Sequence, residues 1–320
     1  MKSVTTYAPI NIALIKYWGK KDPVNVLPYT DSISLSLDIY GTTTTLSNDE
    51  NPGFSFSIDG RDDPLMGTKV RTHIRNMTGS DPDHLSVVTN NSGPTAAGLA
   101  SSASGYAALT LAVDSYYGLG LSFDELQVHA RTGSGSAVRS LLGGCVMWKR
   151  DGTIASVPFP FDDVIMAFMV INKTEKTIGS TAAMKLSVET SPLFQDWVLQ
   201  SLSDRDVFLD ALAKNDFQKI GLIAEANAHG MHRVCETSDP AVRYLNDMSR
   251  RLIQGVRDAR DLGMEVYWTA DAGPNIKVMM RKKDKNRFIA HMKTITDINP
   301  VFSGIASEGA RIIHDTVHTR

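Results

Sequence analysis

The sequence predicts a mixed fold of β-strands and α-helices that is long enough for two domains. The chain has 320 residues, more than one ordinary domain requires. Residues 27–37 alternate between apolar and polar side chains, which indicates a strand with two distinct faces. Residues 94–105 are small and stand directly before a segment with helical apolar spacing. The apolar run at residues 164–171 marks the expected start of the second domain.

The composition argues against several classes of protein. The net charge of −2 provides no overall field that would attract nucleic acid or an anionic membrane. The longest apolar run is too short to cross a bilayer, and no signal-peptide core follows Met1. Cys145 and Cys235 provide no disulfide framework and indicate a reducing compartment. We therefore expect a cytoplasmic protein with no nucleic-acid or membrane partner.

The first predicted strand ends in two cations. Ile10, Ile12 and Leu14 indicate a buried strand, and Lys16 and Lys20 follow where its apolar character ends. Both lysines are candidate anion ligands, with two solvated lysines at a strand end as the alternative. The next predicted elements are strands at 27–37, 42–46, 54–58 and 84–89 and a helix at 66–77.

The small-residue stretch at 94–105 predicts a phosphate-binding loop at the start of a helix. Small side chains let the backbone approach an anion, and Gly98 can adopt a positive φ without strain. Ser101 and Ser102 lie at or near the helix N-terminus, where unpaired N–H groups and the helix dipole favour phosphate. The Gly-Lys-Ser/Thr of a Walker loop is missing, and a small-residue helix packed on a neighbour is the alternative.

A second flexible turn precedes an arginine. Ser122 and Glu125 form a capping-box pattern that predicts a helix to about residue 130. Residues 131–139 repeat the small-residue theme and end at Arg139. Arginine suits the bidentate capture of a carboxylate or phosphate, although a surface arginine is the alternative. Residues 143–148 are expected to form a strand.

In the second half, helices are expected over most of residues 192–262. Ser180 and Thr181 precede this region, and we expect them to open a helix as caps or as anion ligands, of which a cap is more economical. His229, His232 and Cys235 share a helix face, but they lack the spacing and the fourth ligand of a zinc site.

Asp271 is the candidate functional carboxylate. It follows a predicted strand that begins at residue 266 and precedes the turn signal Gly273-Pro274. An aspartate that merely forms the turn is the alternative. The remaining predicted elements are a strand at 276–280, a helix at 285–294 and a terminal strand at 309–314.

Together, these motifs resemble the GHMP small-molecule kinases and, within them, the mevalonate diphosphate decarboxylase family. Residues 94–105 resemble the phosphate loop of the superfamily. Residues 11–20, 133–139 and 271–275 resemble signatures of the decarboxylases. The resemblance implies an α+β, two-domain GHMP-kinase fold with the active site in the cleft between the domains. A ribosomal-protein-like α/β domain is expected at 1–163 and a ferredoxin-like α+β domain at 164–320.

The resemblance also implies a reaction. ATP phosphorylates the 3-hydroxyl of mevalonate 5-diphosphate, and phosphate and CO2 then leave to give isopentenyl diphosphate for isoprenoid synthesis. The expected ligands are this substrate, ATP and Mg2+, and a homodimer is the default assembly.

The resemblance assigns roles to residues of this chain. Asp271 would orient and deprotonate the 3-hydroxyl, Lys16 would keep Asp271 ionised, and Arg139 would hold the substrate carboxylate. Asn11 would lie near that carboxylate or hydroxyl. The 5-diphosphate would contact Tyr17, Lys20, Ser180 and Thr181. The nucleotide would contact Pro94, Ala97, Gly98, Leu99, Ala100, Ser101, Ser102 and Lys176, with Ser101 and Ser102 facing Mg2+ mostly through the ATP phosphates.

Two departures from the family pattern bear on the substrate. Gly179 stands where the family usually has a hydroxyl, and Asp31 would place an acid near phosphates. A 5-monophosphate is therefore the nearest alternative substrate. A kinase that stops at phosphorylation is less compatible with the presence of both Lys16 and Asp271. A non-catalytic nucleotide-binding regulator is the third possibility, against which the complete set of acid, lysine and arginine argues.

Overall fold

The computed structural model describes residues 2–50, 52–93, 101–171 and 178–317. The first half of the chain forms a large sheet with helices packed against it. The strands of this half are β1 (Ser3–Ile15), β2 (Lys20–Asp22), β3 (Leu27–Pro28), β4 (Ser32–Asn48), β5 (Phe54–Ile58), β6 (Arg61–Asp62), β7 (Leu85–Asn91), β8 (Cys145–Trp148) and β9 (Ile154–Val157). Of these, β2 and β3 form a separate two-stranded sheet. The helices of this half are α1 (Pro64–Thr78), α2 (Ser101–Tyr117), α3 (Phe123–Gly133) and a 3₁₀ helix at Gly135–Ser140.

The second half forms a smaller sheet with a helical layer. The strands of this sheet are β10 (Val164–Met169), β11 (Val266–Thr269), β12 (Ile276–Arg281) and β13 (Val301–Ser303), and a further strand of this half is β14 (Arg311–Asp315). The helices of this half are α4 (Ser180–Thr190), α5 (Phe194–Ala213), α6 (Phe217–Glu236), α7 (Asp247–Asp261) and α8 (Lys285–Met292), with a 3₁₀ turn at Lys282–Asp284. No helix in these described stretches is both long and apolar enough to span a membrane.

The large sheet is built around the long antiparallel pair β1 and β4. Its order is β14-β1-β4-β7-β5-β6, while β8 pairs with the first part of β4 and with β9. The last strand, β14, returns from the end of the chain to pair with β1. The smaller sheet has the order β11-β12-β10-β13. The division of the chain into domains at residue 163 stays a prediction, because β14 lies in the sheet of the first half.

Local sequence explains how the helices begin and end. The side chain of Asp63 caps α1 by accepting a hydrogen bond from the N–H of Met66, and Pro64 follows at the first helical position. Gly79 ends this helix at φ 77°, a conformation that glycine adopts without strain. The capping box of Ser122 and Glu125 is confirmed at the start of α3.

The two sheets share one apolar core. Ile12 and Leu14 of β1 lie in the same buried cluster as Phe168 of β10, Tyr267 of β11 and Met279 of β12. Each such side chain contributes about 1.5–3 kcal/mol when it is buried. The strand ends that meet at this interface are therefore held on a rigid base.

Residues 27–37, whose side chains alternate between apolar and polar, form the short strand β3 and the start of β4. The polar face of β4 is buried as well as its apolar face. Ser32, Ser34 and Ser36 are fully buried, because β4 is covered on both faces. Ser36 donates a hydrogen bond to the carbonyl of Leu142 at 3.0 Å. These serines leave room for the segment that carries Arg139.

Candidate active site

Asp271 lies just after β11, where three segments from distant parts of the chain meet. The Nζ of Lys16, directly after β1, lies 2.8 Å from Oδ1 of Asp271. The Nζ of Lys277, on β12, lies 3.1 Å from Oδ2. Each oxygen of the carboxylate is thus bound by one ammonium group, and the Asp271 side chain still retains 31% exposure.

Backbone and amide groups fix the position of Lys16. Its Nζ donates to the carbonyl of Ala13 at 2.6 Å, and its backbone N–H donates to Oδ1 of Asn227 at 2.7 Å. Asn227, on α6, donates in turn to Ser201 at 3.1 Å and to Asp204 at 2.9 Å, both on α5. The helical layer of the second half therefore holds a lysine of the first half.

Arg139 is buried in the 3₁₀ helix and is held by residues of two strands. Its Nε donates to Oδ1 of Asn11 at 3.1 Å, and its Nη1 donates to Oγ of Ser32 at 2.9 Å. Asn11 is oriented by its own bond from Nδ2 to Oγ of Ser140 at 2.8 Å. These bonds use two of the three guanidinium nitrogens and hold the group rigidly. The structure thus brings together Asn11 and Arg139, and the charge of Arg139 acts on both Lys16 and Asp271.

The electrostatics of the site are dominated by positive charge. Burial lowers the pKa of Lys16 to about 8, although the neighbouring Asp271 opposes this change. Burial likewise lowers the pKa of Arg139 to about 10. Burial alone would raise the pKa of Asp271, but Lys16 and Lys277 outweigh it and hold that pKa well below its usual range. Three cations around one carboxylate favour a ligand with several negative charges.

The hydroxyl of Tyr17 is a second polar group near this cluster. It is buried without a hydrogen-bond partner in the described part of the chain, and burial raises its pKa. Its ring stands edge-on to Trp148, with 4.7 Å between the ring centroids. A side chain at Gly135 would place its Cβ 2.8 Å from this hydroxyl, so glycine at this position leaves space beside Tyr17. An unpaired buried hydroxyl is costly unless a ligand binds it.

The residues predicted to bind the 5-diphosphate lie at the starts of two elements. Lys20 opens β2 and is half-buried, and burial lowers its pKa. Ser180 and Thr181 are the first two residues of α4. The prediction that they cap this helix is wrong, because Gly179 occupies the cap position and no side chain bonds there. Their role as anion ligands stays a prediction.

Within the predicted nucleotide-binding loop, the structure describes only the start of helix α2. Helix α2 begins at Ser101, and Ser102 is exposed in its first turn. The other nucleotide positions predicted from sequence lie outside the described residues, namely Pro94, Ala97, Gly98, Leu99, Ala100, Lys176 and the side chain of Ser101. Within the described ranges, no group of three or more His, Cys, Asp or Glu side chains could hold a metal. Serine hydroxyls and nucleotide phosphates provide oxygen ligands of the kind that Mg2+ prefers.

Sequence reasoning missed Lys277 and misread Asp31. Lys277 was detectable as the one charged residue inside the otherwise apolar run Ile276–Met280. Asp31 is buried, forms an ion pair with Arg205 and accepts a hydrogen bond from the backbone N–H of Arg150 at 2.7 Å. Its charge is therefore offset within the protein rather than left to repel phosphate.

Comparisons with known proteins place these features in context. A model of the diphosphomevalonate decarboxylase-like N-terminal domain matches residues 8–157, and one of the mevalonate 5-diphosphate decarboxylase C-terminal domain matches residues 166–313. The chain is 34% identical to the diphosphomevalonate decarboxylase of Bos taurus, over 91% of this chain and 80% of that protein. It is 31% identical to that of Gibberella zeae, over 97% and 90% of the two chains.

Solved structures agree with this family and confirm the two-domain α+β fold. The mevalonate diphosphate decarboxylase from Staphylococcus aureus superposes with a TM-score of 0.90 at 36% identity, over 98% of both chains. The enzyme from Enterococcus faecalis superposes with a TM-score of 0.90 at 35% identity, over 98% of this chain and 99% of that one. A further structure, described as MDDEF in complex with MVAPP, AMPPCP and magnesium, gives a TM-score of 0.91 at 35% identity, over 98% and 99%.

Proposed function

Because the chain belongs to the diphosphomevalonate decarboxylase family, we propose that it catalyses the ATP-dependent decarboxylation of mevalonate 5-diphosphate. The γ-phosphoryl group of ATP is transferred to the 3-oxygen of the substrate with ADP as the leaving group, and the hydroxyl proton, which becomes acidic as the oxygen–phosphorus bond forms, passes to solvent. The bond between C3 and that oxygen then breaks, and phosphate leaves. The electrons of the bond to the carboxylate carbon form the double bond of isopentenyl diphosphate as CO2 leaves. The observation that carries this proposal is the Asp271 carboxylate held between Lys16 and Lys277.

Asp271 orients the 3-hydroxyl of the substrate and later offsets the positive charge that develops on C3. Its low proton affinity makes it a weak base, and phosphoryl transfer through a loose transition state requires orientation more than strong deprotonation. The same carboxylate then faces the carbon from which phosphate departs. A fixed negative charge there stabilises the positive charge that develops on that carbon.

Arg139 binds the substrate carboxylate, and Asn11 holds the guanidinium in place. This contact fixes geometry without strengthening as CO2 forms, because equal binding of ground and transition states does not speed decarboxylation. Four side chains bind the 5-diphosphate: Tyr17, Lys20, Ser180 and Thr181. The unpaired hydroxyl of Tyr17 supports this assignment.

ATP binds at the N-terminal end of α2, where Ser102 presents an exposed hydroxyl. Ser101, Lys176 and residues 94–100 complete the nucleotide site. When bound, Mg2+ neutralises charge on the phosphate oxygens and is held by them and by Ser101 and Ser102.

The protein acts in the cytoplasm as a homodimer that supplies isoprenoid synthesis. Cys145 and Cys235 are both free and buried, as expected in a reducing compartment. A two-fold symmetric dimer is the commonest assembly among soluble oligomeric proteins in general. Light scattering of the purified protein tests this state, since a mass near 35 kDa would indicate a monomer.

The decisive experiment compares ATP-coupled CO2 release from mevalonate 5-diphosphate and from mevalonate 5-phosphate. We expect CO2 and ADP in equal amounts from the diphosphate, with at least tenfold lower kcat/KM for the monophosphate. Faster CO2 release from the monophosphate would transfer the assignment to that substrate. ADP formation without CO2 would identify a kinase, and the absence of both products would leave a nucleotide-binding regulator.

A further inference from the structure

Lys277 is an unusual residue for its position. It lies on β12 between β11 and β10, opposite Thr269 and Phe168 in the register, and its side chain is 3% exposed. A lysine inside a sheet loses the hydration of its ammonium group, which only a specific partner offsets. The partner here is Oδ2 of Asp271 at 3.1 Å.

Lys277 is a second cation beside Asp271, whose single negative charge is already balanced by Lys16. Glu225 provides the contrast, because it pairs with the single cation Arg260 at 2.8 Å and 3.2 Å and accepts a backbone bond from Trp268. Asp271 already has Lys16 at 2.8 Å when Lys277 is added. A structural ion pair would be complete without the second lysine, so the second lysine points to a task at the carboxylate.

We propose that Lys277 is a positioning residue that fixes the Oδ2 oxygen of Asp271 and so holds the carboxylate in the orientation that meets the substrate hydroxyl. The inference rests on the proposed function, since it concerns the carboxylate that orients the substrate hydroxyl. With both oxygens bound, the carboxylate cannot rotate, and its charge is kept through phosphoryl transfer and phosphate loss. The 3-hydroxyl of the substrate then contacts the Asp271 carboxylate in one fixed orientation.

Four groups from four elements act on Asp271. Lys16 approaches from the end of β1, Lys277 from β12, Arg139 from the 3₁₀ helix and His232 from α6. Burial lowers the pKa of His232 to about 3, so this histidine is neutral and contributes no charge above pH 5. Removal of Lys277 therefore leaves one direct cation and the more distant Arg139. The pKa of Asp271 then rises, and that of Lys16 rises too, because Lys277 helps to lower it.

The test uses Lys277→Met, which keeps the length of the side chain and removes its charge. We expect kcat to fall at least tenfold, while the KM for ATP changes less than twofold. The pH profile of kcat/KM should have its acid limb at least one pH unit above that of the parent, and its alkaline limb should move upward. Lys282→Met, which removes an exposed lysine next to the same strand, should leave both limbs in place. Lys277→Arg, which keeps the positive charge, should restore the pH profile of kcat/KM that the parent shows.

A readout without turnover separates this inference from the proposed function. In protein labelled with ¹³C at the aspartate carboxyls, the resonance missing from Asp271→Asn identifies Asp271. Its titration midpoint should lie below pH 4 in the parent and at least one unit higher in Lys277→Met. Equal midpoints, or a Lys277→Met rate lowered equally at every pH, would reduce Lys277 to a structural residue. A parent that releases no CO2 would overturn the proposed reaction but leave the titration result intact.

Discussion

Asp271 and Asp31 are both carboxylates paired with cations inside the protein, yet their surroundings differ in balance. Asp31 has one ion-pair partner, Arg205, and a backbone N–H of Arg150, and its side chain is 8% exposed. Asp271 has two lysines and lies close to Arg139, and its side chain is 31% exposed. The first site is largely buried and carries no excess positive charge, whereas the second is partly exposed and has more cations than carboxylates.

A buried charged pair is therefore not in itself a sign of function. A balanced pair satisfies its own hydrogen bonds and adds little that a ligand could use. An unbalanced group of charges is unstable on its own, so it indicates a missing counter-charge. At Asp271 the missing charges match those of a substrate with a carboxylate and a diphosphate.

The largest expected effect comes from Asp271→Asn. The amide keeps the shape of the side chain, but it leaves two buried lysines without their anion and removes the group that orients the hydroxyl. We expect kcat to fall at least 1,000-fold while the KM for mevalonate 5-diphosphate changes less than threefold. Steady-state assays of CO2 release measure both. A variant that keeps activity within tenfold of the parent would remove the catalytic role of Asp271.

The central ion pair of the site was predictable from sequence, because Lys16 and Asp271 both follow the end of a strand. The lysine after the first strand and the aspartate after β11 were singled out, and they are in contact although 255 positions separate them. Arg139 was singled out after its flexible turn, whereas Asn11 was assigned only by the family resemblance, and the two are hydrogen-bonded. Strand ends are visible as the place where an apolar run gives way to charge.

The support of the site was not predictable, because its contacts depend on tertiary packing. Asn227 lies in the middle of a helix, and nothing local shows that it accepts a bond from Lys16. Arg205 is a helical residue whose pairing with Asp31 follows from how α5 packs. The return of β14 to the first sheet is likewise set by pairing with β1, which local pattern does not reveal.

The next largest effect is a change of activity with pH. It reflects the cation that pairs with each carboxylate, namely Lys16 at Asp271 and Arg205 at Asp31. Because burial lowers the pKa of Lys16 to about 8, its ammonium group loses its proton as pH rises through that value. An anionic substrate then binds a site with one positive charge fewer. We expect kcat/KM to fall about tenfold per unit above pH 8, since this parameter reports the free enzyme. In contrast, Arg205 stays charged, because its bonds to Asp31 and Asp206 raise its pKa despite burial.

Profiles of kcat/KM between pH 6 and pH 10 test this prediction, with unfolding monitored at each pH to show that the enzyme stays folded. The limb in kcat should lie at higher pH than the limb in kcat/KM, because bound anions favour the charged lysine. A kcat/KM that stays constant to pH 10 would contradict the low pKa of Lys16.

The smallest effect on activity is expected from Asp31→Asn, which tests the largely buried site. The substitution leaves Arg205 without one partner, but that arginine is 22% exposed and still pairs with Asp206 at 2.7 Å. The loss of stability should therefore be about 1–3 kcal/mol, within the range for a hydrogen-bonded group that loses its partner. Urea denaturation measures this loss. We expect kcat within threefold of the parent and an unchanged preference between the diphosphate and monophosphate substrates. A tenfold change in that preference would mean that the charge of Asp31 acts on the substrate, and the contrast between the two carboxylates would then be one of distance from the ligand rather than of charge balance.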